Sequence, residues 1–146
     1  MLTTFKAIAK NLPEGLQVET NSRGFKIIMD EPEDLGGTDT FMNPVEALLC
    51  ALGACQAIVA KAFAPSQNFT FEEFHVELEG DLDPDGFMGI ADVRNGFQEI
   101  RFLMHFKTKE TKEKAEAFAE FIENTCPVGD CLMNGVTLKL SGVVID

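Results

Sequence analysis

Apolar and polar residues alternate along most of this chain, and in one stretch the alternation stops. Thr3–Lys10 places Phe5, Ala7 and Ala9 on one side, Leu16–Thr20 alternates Leu16, Val18 and Thr20, and Phe25–Met29 follows. Turn clusters separate these runs, Asn11-Leu12-Pro13-Glu14-Gly15 and Asn21-Ser22-Arg23-Gly24. Period-two runs between such turns predict an antiparallel three-strand meander. Further strands are expected over Phe69–Leu82, with a slip at Glu72-Glu73 read as a bulge, over Phe97–Phe106, and over Val136–Ile145 with a break at Gly142. Asp30–Met42 and Asp83–Gly96, rich in Gly, Pro and Asp, read as loops, the second with room for a short irregular strand.

Between the strands lie helical patterns. Ala115, Phe118, Ala119, Phe121 and Ile122 recur at helical spacing. They predict a helix capped by Thr108 or Thr111 and ending near Asn124, because Pro127 forces Cys126 out of helical geometry. A short turn or helix over Val128–Asn134 then stops at Gly135. The stretch without alternation is 43–64. Asn43 is a good N-cap, Pro44 suits the first helical position, and Pro65 closes the helix after Ala64. This gives about 21 residues, or roughly 31 Å of helix. From Ala47 to Ala60 its one polar side chain is Gln56. A helix apolar all round is buried or spans a membrane. Glu46, Gln56 and Lys61, with many small Ala and Gly residues, favour a buried core helix.

The order βββ-α-ββ-α-β segregates helices from mostly antiparallel strands, which is the α+β class, here as a single domain over 1–146. One layer of sheet covers only one side of an all-apolar helix. A symmetric second copy packing the same helix against its own is the economical cover, so a homodimer is expected.

Composition narrows the function classes. A net charge of -12 argues against nucleic acid and anionic membrane surfaces as partners. Residues 1–15 lack the apolar run and small-residue cleavage site of a signal peptide, so a cytoplasmic location with reduced thiols is expected. Four cysteines remain to be explained: Cys50, Cys55, Cys126 and Cys131. Each taken alone fits a small buried hydrophobe. On a helix Cys50 and Cys55 diverge by roughly 140° and do not converge on one ion. With no Cys-x-x-Cys pair, and with His75 and His105 in strands, no metal site is expected. Cys126-Pro127 differs, because a thiol leaving a broken helix can move. A mobile thiol facing a fixed one suits a redox cycle in which a sulfenic acid condenses to a disulfide.

Asn43-Pro44-x-Glu46-x-Leu48-Leu49-x-Ala51-Leu52-Gly53-x-Cys55, followed by Cys126-Pro127-Val128, resembles the OsmC/Ohr superfamily of thiol-dependent hydroperoxide reductases. Asp30-Glu31-Pro32-x-x-Leu35-Gly36-Gly37 and Gly96-Phe97-x-x-Ile100 are similar to its OsmC-like branch. The resemblance covers roughly residues 20–146 and implies an intertwined α+β homodimer with paired central helices. It implies Cys55 as peroxidatic thiol, Cys126 as resolving thiol and an organic or fatty-acid hydroperoxide as substrate. It also implies a dithiol reductant such as a lipoylated protein, and neither metal nor flavin. An apolar setting raises a thiol's pKa, so this chemistry requires a cation or donor beside Cys55. In the family an Arg held by a Glu serves. The candidates here are Glu46, one position later than the peroxidase branches place it, and Arg23, whose turn lacks their Gly-rich pattern. Glu46 precedes Cys55 by nine residues, about 13 Å along the helix and on its opposite side, so within one chain they cannot touch. The alternatives are an apolar-ligand-binding dimer, or a thiol redox sensor in which Cys50 or Cys131 takes the resolving role.

Overall fold

The computed structural model describes all residues, Met1–Asp146. It contains two antiparallel sheets and one long helix, the α+β class expected. Its contacts divide the chain into Met1–Cys50 and Ala51–Asp146, with the long helix running from one into the other.

In the first unit, strands β1 (Ile8–Asn11), β2 (Val18–Ser22) and β3 (Phe25–Met29) form the meander, with Val18 opposite Met29 and Ser22 opposite Phe25. β1 is shorter than the Thr3–Lys10 strand expected. It begins where β2 offers a partner, Ile8 opposite Asn21. Arg23 takes φ 56° and Gly24 φ 91°, the left-handed conformations that a tight hairpin turn requires. After β3 the loop is clasped by Asp30. Its carboxylate accepts from Thr38 N at 3.1 Å, from Thr40 N at 3.1 Å and from the Thr38 hydroxyl. Gly37 is required here, because a Cβ would lie 1.9 Å from the Glu31 carbonyl oxygen.

Helix α1 (Pro44–Phe63) opens as anticipated. Asn43 Oδ1 accepts from Glu46 N at 2.9 Å and Glu46 Oε1 accepts from Asn43 N at 3.1 Å, a reciprocal capping box. The helix is long and apolar enough to cross a bilayer by length and composition. Its expected burial holds on one face only: Leu52, Gln56, Val59 and Ala60 are buried, whereas Ile58 is 68% exposed.

In the second unit β4 (Glu73–Leu82) and β5 (Phe97–Lys107) form a long hairpin, with a register irregularity at Asp81/Leu82 instead of a bulge at Glu72-Glu73. Phe69 and Phe71 precede the strand and serve the core, so the slip marks where pairing starts. The loop contains a short helix, α2 (Pro84–Phe87), in place of an irregular strand, because Asp83 caps it by accepting from Asp85 N and Pro84 suits its first position. One hairpin face carries Phe74, Val76, Leu78, Phe102, Met104 and Phe106, the other mostly charged residues and two histidines. α1 lies on the apolar face at Gly53, where a Cβ would meet Leu78 Cδ1 at 2.7 Å.

Helix α3 (Lys112–Thr125) is capped by Thr111, whose hydroxyl accepts from Lys114 N. It closes the core with Phe118 and Ile122 against Val59, Ala60, Ala64 and Phe69. Phe118 stacks on Phe69 with ring centroids 4.6 Å apart. Helix α4 (Pro127–Asn134) follows directly. The strand expected over Val136–Ile145 is absent: the segment is unpaired, with Leu138 91% and Leu140 83% exposed. A period-two pattern encodes the readiness to pair, and within this chain that segment meets no sheet edge.

Candidate functional site

Cys55 stands in the middle of α1, half-buried, and Cys126 occupies the junction between α3 and α4, only 2% exposed. Pro127 explains the junction. Cys126 adopts φ -68° and ψ 112°, ends α3, and caps α4 as its sulfur accepts from Gly129 N at 3.3 Å. Antiparallel packing of α3 on α1 brings the two cysteines together, although 71 residues separate them in sequence. They lie against one another as free thiols. Burial pushes the Cys126 thiol up from its ordinary pKa, and the hydrogen bond and charge of Cys55 push it further. The N–H groups of Gly129 and Val128 pull the other way. The balance keeps Cys126 protonated.

The remaining cysteines are elsewhere. Cys50 is exposed with its sulfur 3.9 Å from Met42 Sδ, and Cys131 is exposed on α4. The divergence of Cys50 from Cys55 follows from the helical turn, and of the other cysteines Cys126 is the one brought to Cys55.

Glu46 is engaged at the start of α1 through the capping box, and Arg23 stacks over Phe25, its guanidinium carbon 5.2 Å from the ring centroid. Arg101 is tied to Glu79, Asp81 and Glu99 on the charged face of the hairpin, away from the face that carries α1. It is fully committed there. Two features adjoining these cysteines along the chain were not assigned from sequence. One is the Gly129 N–H, which the Cys-Pro-x-Gly spacing of an N-cap could have suggested. The other is Gln56, whose side chain is buried at 1% exposure with no partner for its carbonyl oxygen. The sequence marked Gln56 as the lone polar interior residue of the helix and nothing more.

The profile of the OsmC-like protein family matches residues 37–141, which contain α1, both hairpin strands and the cysteine pair. The chain belongs to this family. It is similar to a hydroperoxide reductase of Mycoplasma pneumoniae, 26% identical over 102 residues that cover 68% of this chain and 67% of the relative. The crystal structure of an OsmC-like protein from Mycoplasma pneumoniae superposes with a TM-score of 0.80 at 22% identity, covering 91% of this chain and 89% of that one. That of an organic hydroperoxide resistance protein OsmC from Legionella pneumophila gives 0.70 at 23% identity, covering 92% and 93%. At these identities the structural likeness speaks for the fold.

Proposed function

We propose that this OsmC-like protein is a thiol-dependent peroxidase that reduces organic hydroperoxides through Cys55 and Cys126. One observation carries the reading: the two free thiols lie against one another in unequal settings, Cys55 half-buried and Cys126 enclosed and protonated. That asymmetry fits the division of labour. The Cys55 thiolate attacks the peroxide oxygen distal to the organic group, the O–O bond breaks, and the alcohol leaves with a proton. Cys55 is then a sulfenic acid. The Cys126 thiol attacks the Cys55 sulfur, the S–O bond breaks and the S–S bond forms. The thiol proton and the departing hydroxide make water. A dithiol, such as that of a lipoylated protein, returns the disulfide to two thiols. The cycle draws on sulfur chemistry alone and asks for no metal or flavin.

The names of the curated relatives agree with this activity. The active species of the proposal is a cytoplasmic homodimer. Its support is the apolar surface one chain leaves open: Ile58 on α1, Phe25 and Ile27 on β3, and the unpaired Val136–Ile145 segment. A second copy covers α1 in this reading, where a bilayer would have to accept the exposed Glu46 and Lys61. Arg23 and Glu46 then serve the Cys55 of the other copy, with the Arg23 guanidinium stabilising its thiolate.

The test is one equivalent of cumene hydroperoxide followed by mass spectrometry of the unreduced digest. The expected product is a Cys55–Cys126 disulfide. Cys55→Ser abolishes turnover, and Cys126→Ser leaves a Cys55 sulfenic acid that dimedone traps. Recovery of both thiols unmodified would sink the proposal.

A further inference from the structure

His75 and His105 are the chain's only histidines, and strand pairing sets them opposite one another on β4 and β5. Their rings stack with centroids 4.3 Å apart and planes within 7° of parallel. Side chains alternate across a strand, so both imidazoles stand on the charged face of the hairpin, away from the face that carries α1. His75 is exposed and the His105 side chain is 40% exposed. Core packing therefore does not account for the pair.

One neighbour orders it. Glu77, on the same face, has Oε2 2.7 Å from His105 Nε2. A carboxylate only accepts, so His105 Nε2 donates its hydrogen and, in the neutral ring, Nδ1 is left as the acceptor nitrogen. A carboxylate that holds one ring nitrogen orients a histidine ligand and makes its other nitrogen a better donor to a metal. The field around the pair also favours a cation. Glu73, Glu77, Glu79, Asp81 and Glu99 share this face with Arg101 and Lys107. Arg101 is held by Glu79, Asp81 and Glu99, and Lys107 lies 3.4 Å from Glu73, so both cations are engaged on either side of the histidines.

We propose that His75 and His105 form a surface site for a divalent first-row transition ion, one imidazole nitrogen from each strand binding it while Glu77 positions His105. Zn(II) takes histidine nitrogens at about 2.0–2.1 Å, which at a tetrahedral angle sets the two nitrogens about 3.3 Å apart. Parallel rings aim their lone pairs side by side, so the exposed His75 ring must tilt about Cβ–Cγ, a broad and soft torsion. No group of three or more His, Cys, Asp or Glu side chains is gathered to hold an ion. Water therefore fills the remaining positions, and the site is open. Imidazole nitrogen selects ions such as Zn(II), Cu(II) and Ni(II), whereas Mg(II) and Ca(II) take oxygen. The site stands on the opposite side of the hairpin from α1 and does not depend on the peroxidase reading.

The test is a Zn(II) titration of the wild-type protein followed through the 15N resonances of its imidazole rings. His105 Nδ1 and one nitrogen of His75 are expected to shift together while His105 Nε2 keeps its hydrogen, and Mg(II) at the same concentration moves neither ring. His75→Asn and His105→Asn are each expected to weaken Zn(II) binding by more than about tenfold, because one arm of a chelate has gone. Zinc held by cysteines instead leaves both rings unmoved and its affinity undiminished in these variants. Glu77→Gln, whose amide donates as readily as it accepts, is expected to mix the two His105 tautomers and to weaken Zn(II) about tenfold. Unmoved rings, a shift confined to one ring, an equal response to Mg(II), or full affinity in either histidine variant would overturn the proposal. An unchanged His105 tautomer and affinity in Glu77→Gln would overturn the role given to Glu77.

Discussion

Asp30 is held by its own loop instead of by a cation. The Thr38 hydroxyl and the backbone N–H groups of Thr38 and Thr40 hold its pKa at about 2, below the ordinary 3.8. The sign follows from linkage: a carboxylate depressed in the folded state contributes stability above its unfolded pKa, and the contribution fades as pH falls from about 4 toward about 2. Asp30→Asn is expected to lower the thermal midpoint at pH 7 and to narrow the gap to wild type at pH 2, in paired melts. A constant gap across that window would contradict the assignment. Among the cysteines, exposure and burial predict an order of alkylation. Cys126, buried and with its pKa raised, is expected to react with iodoacetamide after the exposed Cys50 and Cys131 in the native state at pH 8, with the difference lost in denaturant. Peptide mapping over time reads it. Cys55 and Cys126 were singled out among the four thiols by Cys126-Pro127 and by the apolar helix around Cys55. Their meeting was not legible, since a contact across 71 residues is decided by how α3 lies on α1.

The elements were most legible where local chemistry decides them. Asn43 and Pro44 marked the start of α1, and Thr111, one of two cap candidates, and Pro127 bracketed α3, because caps and proline act within one turn. Strand ends were less legible, since β1 and β4 begin where a partner strand starts to face them. Two glycines test how far close packing fixes the elements. A Cβ on Gly37 would collide with the Glu31 backbone, which cannot yield, so Gly37→Ala is expected to cost about 3 kcal/mol. A Cβ on Gly53 would meet only a methyl of Leu78, which can swing away, and α1 gains about 1 kcal/mol from Ala in place of Gly. Gly53→Ala is therefore expected within about 1 kcal/mol of wild type. Denaturant melts that give the two variants similar losses would contradict this reading of both contacts.

At the scale of the whole molecule, what the sequence pattern promised and one chain does not deliver belong together. The all-apolar helix is covered on one face, Phe25 and Ile27 stay exposed on β3, and the alternating segment at Val136–Ile145 has no sheet to join. Hydropathy periodicity records that a residue will be covered, and is silent on whether its own chain supplies the cover. For this reason strand Val136–Ile145 was expected and is absent. The homodimer proposed above would account for all three exposures together. Light scattering with size-exclusion chromatography is expected to give twice the 16.0 kDa chain mass. Leu138 and Leu140 are the most telling positions, because they are largely exposed in the chain and lie beyond α4, outside the helices that carry the cysteines. Burying each is worth about 1.5–3 kcal/mol and a dimer buries each twice, so Leu138→Asp with Leu140→Asp is expected to weaken association by more than about a thousandfold. If Arg23 and Glu46 serve the other copy's Cys55, peroxidase activity falls with the dimer, and concentration restores both together. A wild-type chain that is monomeric at micromolar concentration yet fully active would remove the dimer from the mechanism and, with it, the assignment of Arg23.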